Sequence, residues 1–317
     1  MMRFFTAGLC ALALTVPSNN GMAAAPLARQ QAPGYYRLQL GAFEVTALSD
    51  GTRPLNAHML VNLGPAEIDQ ALARRRQSSP VETSFNGFLV NTGGKLLLVD
   101  SGAGEFWGAR LGQLENALRA AGYTPEQVDE VYLTHMHTDH VGGLLKAGAA
   151  RFPNAVVRAS QAEADYWLSA ANLERAAPDD RGSFRNAVAA LAPYVAARRF
   201  LPFAPGATLA PGVRALASAG HTAGHSSYLV ESQGQRLLLW GDTLHVAAVQ
   251  FDYPDATMRF DFDRAAAVAA RRLGYATAAR EGYLVAGAHL PFPGLGYTGG
   301  DASAGYSWIP LNYSRAD

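Results

Sequence analysis

Residues 134–143 read THMHTDHVGG, and this stretch constrains the chain more than any other. It places His135, His137, Asp139 and His140 within six positions, using three of the eight histidines in 317 residues. In an extended or turning segment, residues two apart point the same way. His135 and His137 can therefore converge on one ion, while Asp139 and His140, from the next turn, point past it. Clustered imidazoles and carboxylates at such spacing mark metal sites. The fold must accordingly present this loop at a strand end with one side open, and Gly142 and Gly143 are expected to let the chain turn away sharply.

The remaining patterning fits strand pairs alternating with helices. Residues 35–51 alternate as a hairpin turning near Gly41. Residues 52–80 read as loop-rich. Residues 85–102 give two strands joined at Gly93 and Gly94, the second with the continuous apolar run of a strand buried on both faces. Helices are expected over 110–121, 160–171, 183–197 and 263–273, and strands over 128–135 and 155–158. A strand pair follows at 226–242, and a last strand at 282–290. These elements predict an α/β protein with two mixed sheets covered by outer helices, a four-layer α/β/β/α sandwich. Its extent is residues 35–317, after a flexible leader over 26–34.

The N-terminus reads differently from the rest. MMRFFTAGLCALALTV carries one arginine and an apolar run over 4–16, followed by the small-residue stretch GMAAAP. This is the layout of a secretory signal over residues 1–25, too short to span a bilayer. Its removal takes away Cys10, the only cysteine. Any metal must then be held by imidazole and carboxylate. Basic and acidic residues balance at 26 each, with no polybasic run, so the composition gives no support to nucleic-acid binding and points to a small or neutral substrate.

Four further motifs follow the histidine loop's pattern in order along the chain: VDSGAG with Asp100 before it, then GHTAGHS with His221, WGDT with Asp242 and GAHL with His289. Together they resemble the metallo-β-lactamase superfamily over essentially the whole mature chain. The resemblance implies that His135, His137 and His221 hold one divalent metal ion, that Asp139, His140 and His289 hold a second, and that Asp242 bridges them. It implies that Asp100 steadies the histidine loop, and His225 reads as a hydrogen-bonding strut. Zinc is the expected metal, with manganese, cobalt or iron also compatible with nitrogen and oxygen ligands. A shared hydroxide is the expected nucleophile, with Asp139 relaying its proton and Asp242 holding the ion pair.

Within the superfamily, Asp242 separates the chain from true β-lactamases, and the non-helical C-terminus separates it from glyoxalase II. Four stretches, among them FPNAVVRASQAEADYWLS and VAAVQFDYP, are similar to methyl parathion hydrolases and related dihydrocoumarin-type lactonases. That similarity implies an exported, periplasmic homodimer with Trp107, Trp167 and Phe184 around the leaving-group pocket. His245, three residues after Asp242, and Phe260 narrow the pocket and favour a planar aryl lactone or ester. Lactone or aryl ester hydrolysis with organophosphate triester hydrolysis alongside is therefore the expected activity. A primary organophosphate hydrolase and an acyl-homoserine lactonase are the alternatives. His58 falls in a segment able to cover the site but reads as a solvated loop residue.

Overall fold

In the strand Leu96–Val99 every residue is buried, yet neighbours serve different cores. Leu96 and Leu98 pack on one side, Leu97 and Val99 on the other. The strand Gln235–Leu239 divides likewise, with Leu237 and Leu239 facing one cluster and Leu238 another. A period-two alternation in which both faces are apolar requires a sheet covered on both sides. That requirement gives the architecture. The structure is a computed structural model that describes residues 25, 27, 28 and 31–314, and the chain from Pro33 onward forms one unit. Residues 1–24 of the expected signal segment and residues 26, 29 and 30 of the leader lie outside the described residues.

Six strands form the first sheet, in the order Tyr35–Leu40, Phe43–Leu55, Val81–Asn91, Leu96–Val99, Glu130–Tyr132 and Val156–Arg158. Seven form the second: Thr208–Ala210, Val213–Ala217, Ser226–Ser232, Gln235–Leu239, Leu284–Ala286, Leu295–Asp301 and Gly305–Pro310. Val45, Phe88, Val90, Leu97 and Val99 meet Tyr228, Val230, Leu237, Leu239 and Ala286 between the sheets. Outside the first sheet lie the helices Leu114–Ala120 and Arg181–Ala196, which bury Leu114, Leu118, Phe184, Leu191 and Tyr194. Outside the second, helix Arg264–Glu281 packs Tyr275 and Ala278 against Leu238, Trp240 and Val285. The result is the expected α/β/β/α sandwich. No helix among the described residues is long and apolar enough to cross a membrane.

Element boundaries depart from the sequence reading at several places. The segment 52–80 is not loop-rich: the strand continues to Leu55, and Pro65–Arg74 is a helix with Pro at its start and Ile68, Ala71 and Leu72 buried against Val246, Val249 and Met258. The helix expected over 110–121 begins only at Leu114, because the carboxylate of Asp50 takes the backbone N–H groups of Ala103, Gly112 and Leu114 and holds the preceding segment as a loop. The helix expected over 160–171 is two, Gln161–Trp167 and Ala170–Arg175, each started by a serine side chain. The helix expected to end at 273 runs on to Glu281 and stops at Gly282 in the left-handed conformation. The chain after His289 adds a hairpin, the last two strands of the second sheet.

Three pairings in these sheets are parallel: Leu96–Val99 with Glu130–Tyr132, Glu130–Tyr132 with Val156–Arg158, and Gln235–Leu239 with Leu284–Ala286. Parallel strands place their carboxyl ends side by side. Asp100, His135, Ser160, Asp242 and His289 all follow such ends, so residues remote in sequence are delivered to one edge of the sandwich.

Candidate metal centre

The seven residues named as ligands come together in two groups. His135, His137, His221 and Asp242 have ligand atoms within 4.8 Å of one another, and so do Asp139, His140, Asp242 and His289. Asp242 belongs to both. His137 turns its Nδ1 inward, 3.1 Å from His135 Nε2 and 3.0 Å from His221 Nε2. Asp242 Oδ2 lies 3.3 Å from His221 Nε2 and 3.1 Å from His289 Nε2, and its Oδ1 lies 3.2 Å from His140 Nε2. Asp139 Oδ2 is 3.3 Å from His140 Nε2 and 3.4 Å from His289 Nε2.

These separations fit bound cations. Donors at about 2.0–2.1 Å from a tetrahedral zinc stand roughly 3.3–3.4 Å apart. His140 Nε2 and Asp242 Oδ1 are buried and make no hydrogen bond among the described residues, although they are neighbours. Buried polar atoms without partners are costly unless something else satisfies them, and an ion between them does so.

The outward ring nitrogens fix the tautomers. His140 Nδ1 meets Asp100 Oδ2 at 2.9 Å, and the same carboxylate accepts Thr134 N–H and Thr134 Oγ1–H at 2.8 Å each. Asp100 does so from the left-handed region, at φ 60. His221 Nδ1 meets Asp261 Oδ1 at 2.8 Å, and His289 Nδ1 donates to the carbonyl of Ser84 at 3.1 Å. Such partners set ring orientation and raise ligand basicity. His225 accepts the N–H of Asp242 at Nε2, 3.0 Å away, and binds Ser218 through Nδ1. Gly143 has no special φ and does not serve as a sharp exit. A Cβ there would stand 1.7 Å from Ser101 O, so the glycine allows two backbone segments to touch.

Electrostatics in the metal-free protein follow from burial and crowding. Burial, aided by the neighbouring imidazoles, pushes His135 well below the ordinary imidazole range and His137 down to about 3. Burial also works against a charge on His140 and His221, but carboxylates prevail. Asp242, Asp139 and Asp100 raise His140 well above its ordinary value, and Asp242 and Asp261 raise His221 to about 9. Burial opposes ionisation of Asp242, yet His140, His289 and His135 hold it well below the usual carboxylate range. Carboxylates thus enter the centre ionised, as cation binding requires.

Of the other residues singled out in the sequence, His245 lies closest to the cluster. Its Nε2 is 3.1 Å from Asp242 Oδ2, its ring stacks on His289, and burial lowers it to about 4. Phe260 stands over His245, His221 and His137 at ring separations of 5.2, 5.8 and 6.3 Å and is 37% exposed. Trp167 meets His137 edge-on at 5.3 Å. Trp107 reaches the centre only through Phe85, which touches both Trp107 and His289. Phe184, 2% exposed, packs behind Trp167 in the helical core with its ring tilted against the indole. His58 pairs with Asp69 on the surface and takes no part.

Two supporting carboxylates escaped the sequence reading. Asp261 lies forty positions from the ring it orients. Glu163 is fully buried, and it binds Met136 N–H at 3.0 Å, Gly224 N–H at 2.9 Å and the hydroxyl of Thr222. Neither stands in a motif. Within the helix that carries Glu163, QAEADYW, an acidic residue has no visible distinction from the solvated ones beside it.

Comparison with known proteins agrees with this geometry. Residues 84–287 match the metallo-beta-lactamase superfamily. The solved structure of hydrolase AbOPH in the beta lactamase superfamily is 38% identical, covers 90% of this chain and 100% of its own, and superposes with a TM-score of 0.86. AidC, a dizinc quorum-quenching lactonase solved with a product, is 26% identical, with coverage of 89% and 99% and a TM-score of 0.78. AiiA from B. thuringiensis, at 18% identity, 81% and 100% coverage and a TM-score of 0.57, shares the fold. A search of the curated proteins gave no match. With its sandwich, its two ligand groups sharing Asp242 and a family match spanning most of the chain, this protein belongs to the metallo-beta-lactamase superfamily, as a metal-dependent hydrolase.

Proposed function

We propose that this centre hydrolyses lactones or aryl esters, with organophosphate triesters as a side activity. The observation that carries the preference is the edge-to-face contact of His245 and Phe260, 5.2 Å between ring centroids, which narrows the space over the cluster. A flat aryl or lactone ring fits beside an imidazole under an aromatic edge better than a tetrahedral dialkoxy phosphoryl group does. Two divalent ions, zinc in the first instance, supply a water of lowered pKa and a Lewis acid for the scissile bond when bound. The chain's own residues do the rest. Asp139 is held ionised near 2, with burial opposing and His140 and His289 favouring its charge, and its Oδ2 lies 3.4 Å from His289 Nε2 within the group it forms with His140, His289 and Asp242. Trp167 and Phe260 exclude water beside His137, and Trp107 offers an aromatic rim, 36% exposed, for a leaving group.

The alternative of an acyl-homoserine lactonase draws on AidC, whose structure contains N-hexanoyl-L-homoserine. A primary organophosphate hydrolase of the methyl parathion type draws on the sequence similarity of stretches such as FPNAVVRASQAEADYWLS and VAAVQFDYP. Metal-quantified protein assayed on dihydrocoumarin, phenyl acetate, homoserine lactones and methyl parathion separates the three. The proposal expects the highest kcat/KM on the aryl lactone, and full loss on metal removal. A higher value on methyl parathion would reverse the order, and chelator-resistant turnover would end the reading altogether. We further infer export to the periplasm, from the apolar run over 4–16, and a homodimer, from the same similarity. N-terminal sequencing of exported protein and sedimentation test these two.

A further inference from the structure

Glu163 holds parts of two distant ligand loops with one carboxylate. Its Oε2 accepts the N–H of Met136, the residue between His135 and His137. Its Oε1 accepts Gly224 N–H and the hydroxyl of Thr222, the residue after His221. Ser160, which starts the same helix, donates to the carbonyl of Gly224 at 2.7 Å and accepts Glu163 N–H at 3.1 Å. The approach is tight enough that a Cβ on Gly224 would stand 2.3 Å from Ser160 Oγ and 2.5 Å from Glu163 N. Four positions further on, the helix carries Trp167, whose ring lies edge-on to His137. All three ligands unique to one ion group, His135, His137 and His221, therefore sit on backbone segments joined by this one buried side chain, while the rings of His135 and His221 also meet Thr134 Oγ1 and Asp261. The other group is referenced elsewhere: His140 to Asp100, and His289 to the carbonyl of Ser84.

We propose that Glu163 is a positioning residue for one metal ion only, setting the spacing of His135 and His137 against His221 and leaving the Asp139, His140 and His289 group untouched. The inference rests on the paired-ion reading of the centre. Glu163→Gln tests it with almost no change of volume, because the amide cannot accept from Met136 and from Thr222 and Gly224 at once. Chelator competition on the full chain, with zinc and with cobalt, should show one ion bound as tightly as in wild type and the other weakened roughly 10- to 100-fold. The cobalt absorption spectrum should change for the weakened ion alone.

A general packing role predicts something else, namely equal weakening of both ions together with a lowered unfolding midpoint, and that result overturns the proposal. So does unaltered affinity for both. Wild-type protein that takes up fewer than two ions overturns the paired-ion reading and this inference with it; two tight ions in both proteins overturn this inference alone. Should Glu163→Gln fail to fold, Thr222→Val removes one of the three bonds and keeps the carboxylate. The same one-sided loss, smaller in size, is then expected, and a symmetric loss counts against it.

Discussion

The backbone N–H of Asp242 donates to Nε2 of His225 at 3.0 Å, so the residue shared by both ligand groups is held from behind by an imidazole. A ring that accepts at Nε2 must carry its proton on Nδ1, where Ser218 Oγ is 2.8 Å away. Burial and the neighbouring His221 keep His225 neutral, lowering it to about 3. Gly241 makes the contact possible: its φ is 51, and a Cβ there would lie 2.6 Å from the same Nε2.

Replacing His225 by leucine should therefore act in two ways. A buried N–H left without an acceptor costs about 1–3 kcal/mol, which urea unfolding of the metal-free protein measures. The freed Asp242 should also bind both ions less tightly, by roughly 10- to 100-fold in chelator competition. A stability loss with intact metal affinity would mean that the ring supports the fold and not the carboxylate.

The aromatic wall predicts a division between two of its members. Phe184 is 2% exposed behind Trp167, and Phe184→Ala should cost about 3–5 kcal/mol through the cavity it leaves. Trp107, at the rim, has its ring over the guanidinium of Arg53 at 4.9 Å. Trp107→Ala should change stability by no more than about 1 kcal/mol while raising KM for aryl esters with little effect on kcat. Denaturation curves and steady-state kinetics on the two variants separate these roles. Equal stability losses would place Trp107 in the core.

The ligands were legible because the chemistry leaves few substitutes. Imidazoles and carboxylates at short spacing, in a chain with a single cysteine, announce themselves wherever they occur. The double-faced burial of Leu96–Val99 was equally plain, since only a sheet covered on both sides permits four successive apolar residues to point alternately into two cores. What stayed hidden was whatever depends on contacts between distant segments. Asp50 shortens the helix expected from residue 110 by capturing three backbone N–H groups, and nothing in a lone aspartate reports that. Glu163 and Asp261 look like ordinary acidic residues until the loops they hold are brought beside them. The helix Pro65–Arg74 was hidden for a different reason: its apolar positions are few and sit among charges, and its burial depends on Val246, Val249 and Met258 from the far end of the chain.

The metal-free protein should have its stability maximum near pH 6.5, the ordinary imidazole value. Below that pH the unfolded chain takes up protons on His137, His225 and His245, while burial in the folded protein delays uptake to about 3, 3 and 4. The unfolded state then binds more protons, so stability falls as the solution is acidified. Asp139, held near 2 against an ordinary 3.8, adds a further loss at the acid end of that range. Above pH 6.5 the sign reverses. His221, raised to about 9 by Asp242 and Asp261 against the effect of burial, keeps a proton that the unfolded chain releases, and His140 and His289 act in the same direction. That contribution is complete below the unfolded value and is lost as pH climbs through the folded one. Bound cations require these rings deprotonated from the outset, so loading the protein should abolish the alkaline limb and leave only acid-driven metal loss. Urea midpoints of chelator-treated protein at about pH 5, 6.5 and 8.5 should peak at the middle value. A midpoint that rises steadily from acid to alkaline would show that the imidazoles raised by carboxylates contribute nothing in the absence of metal.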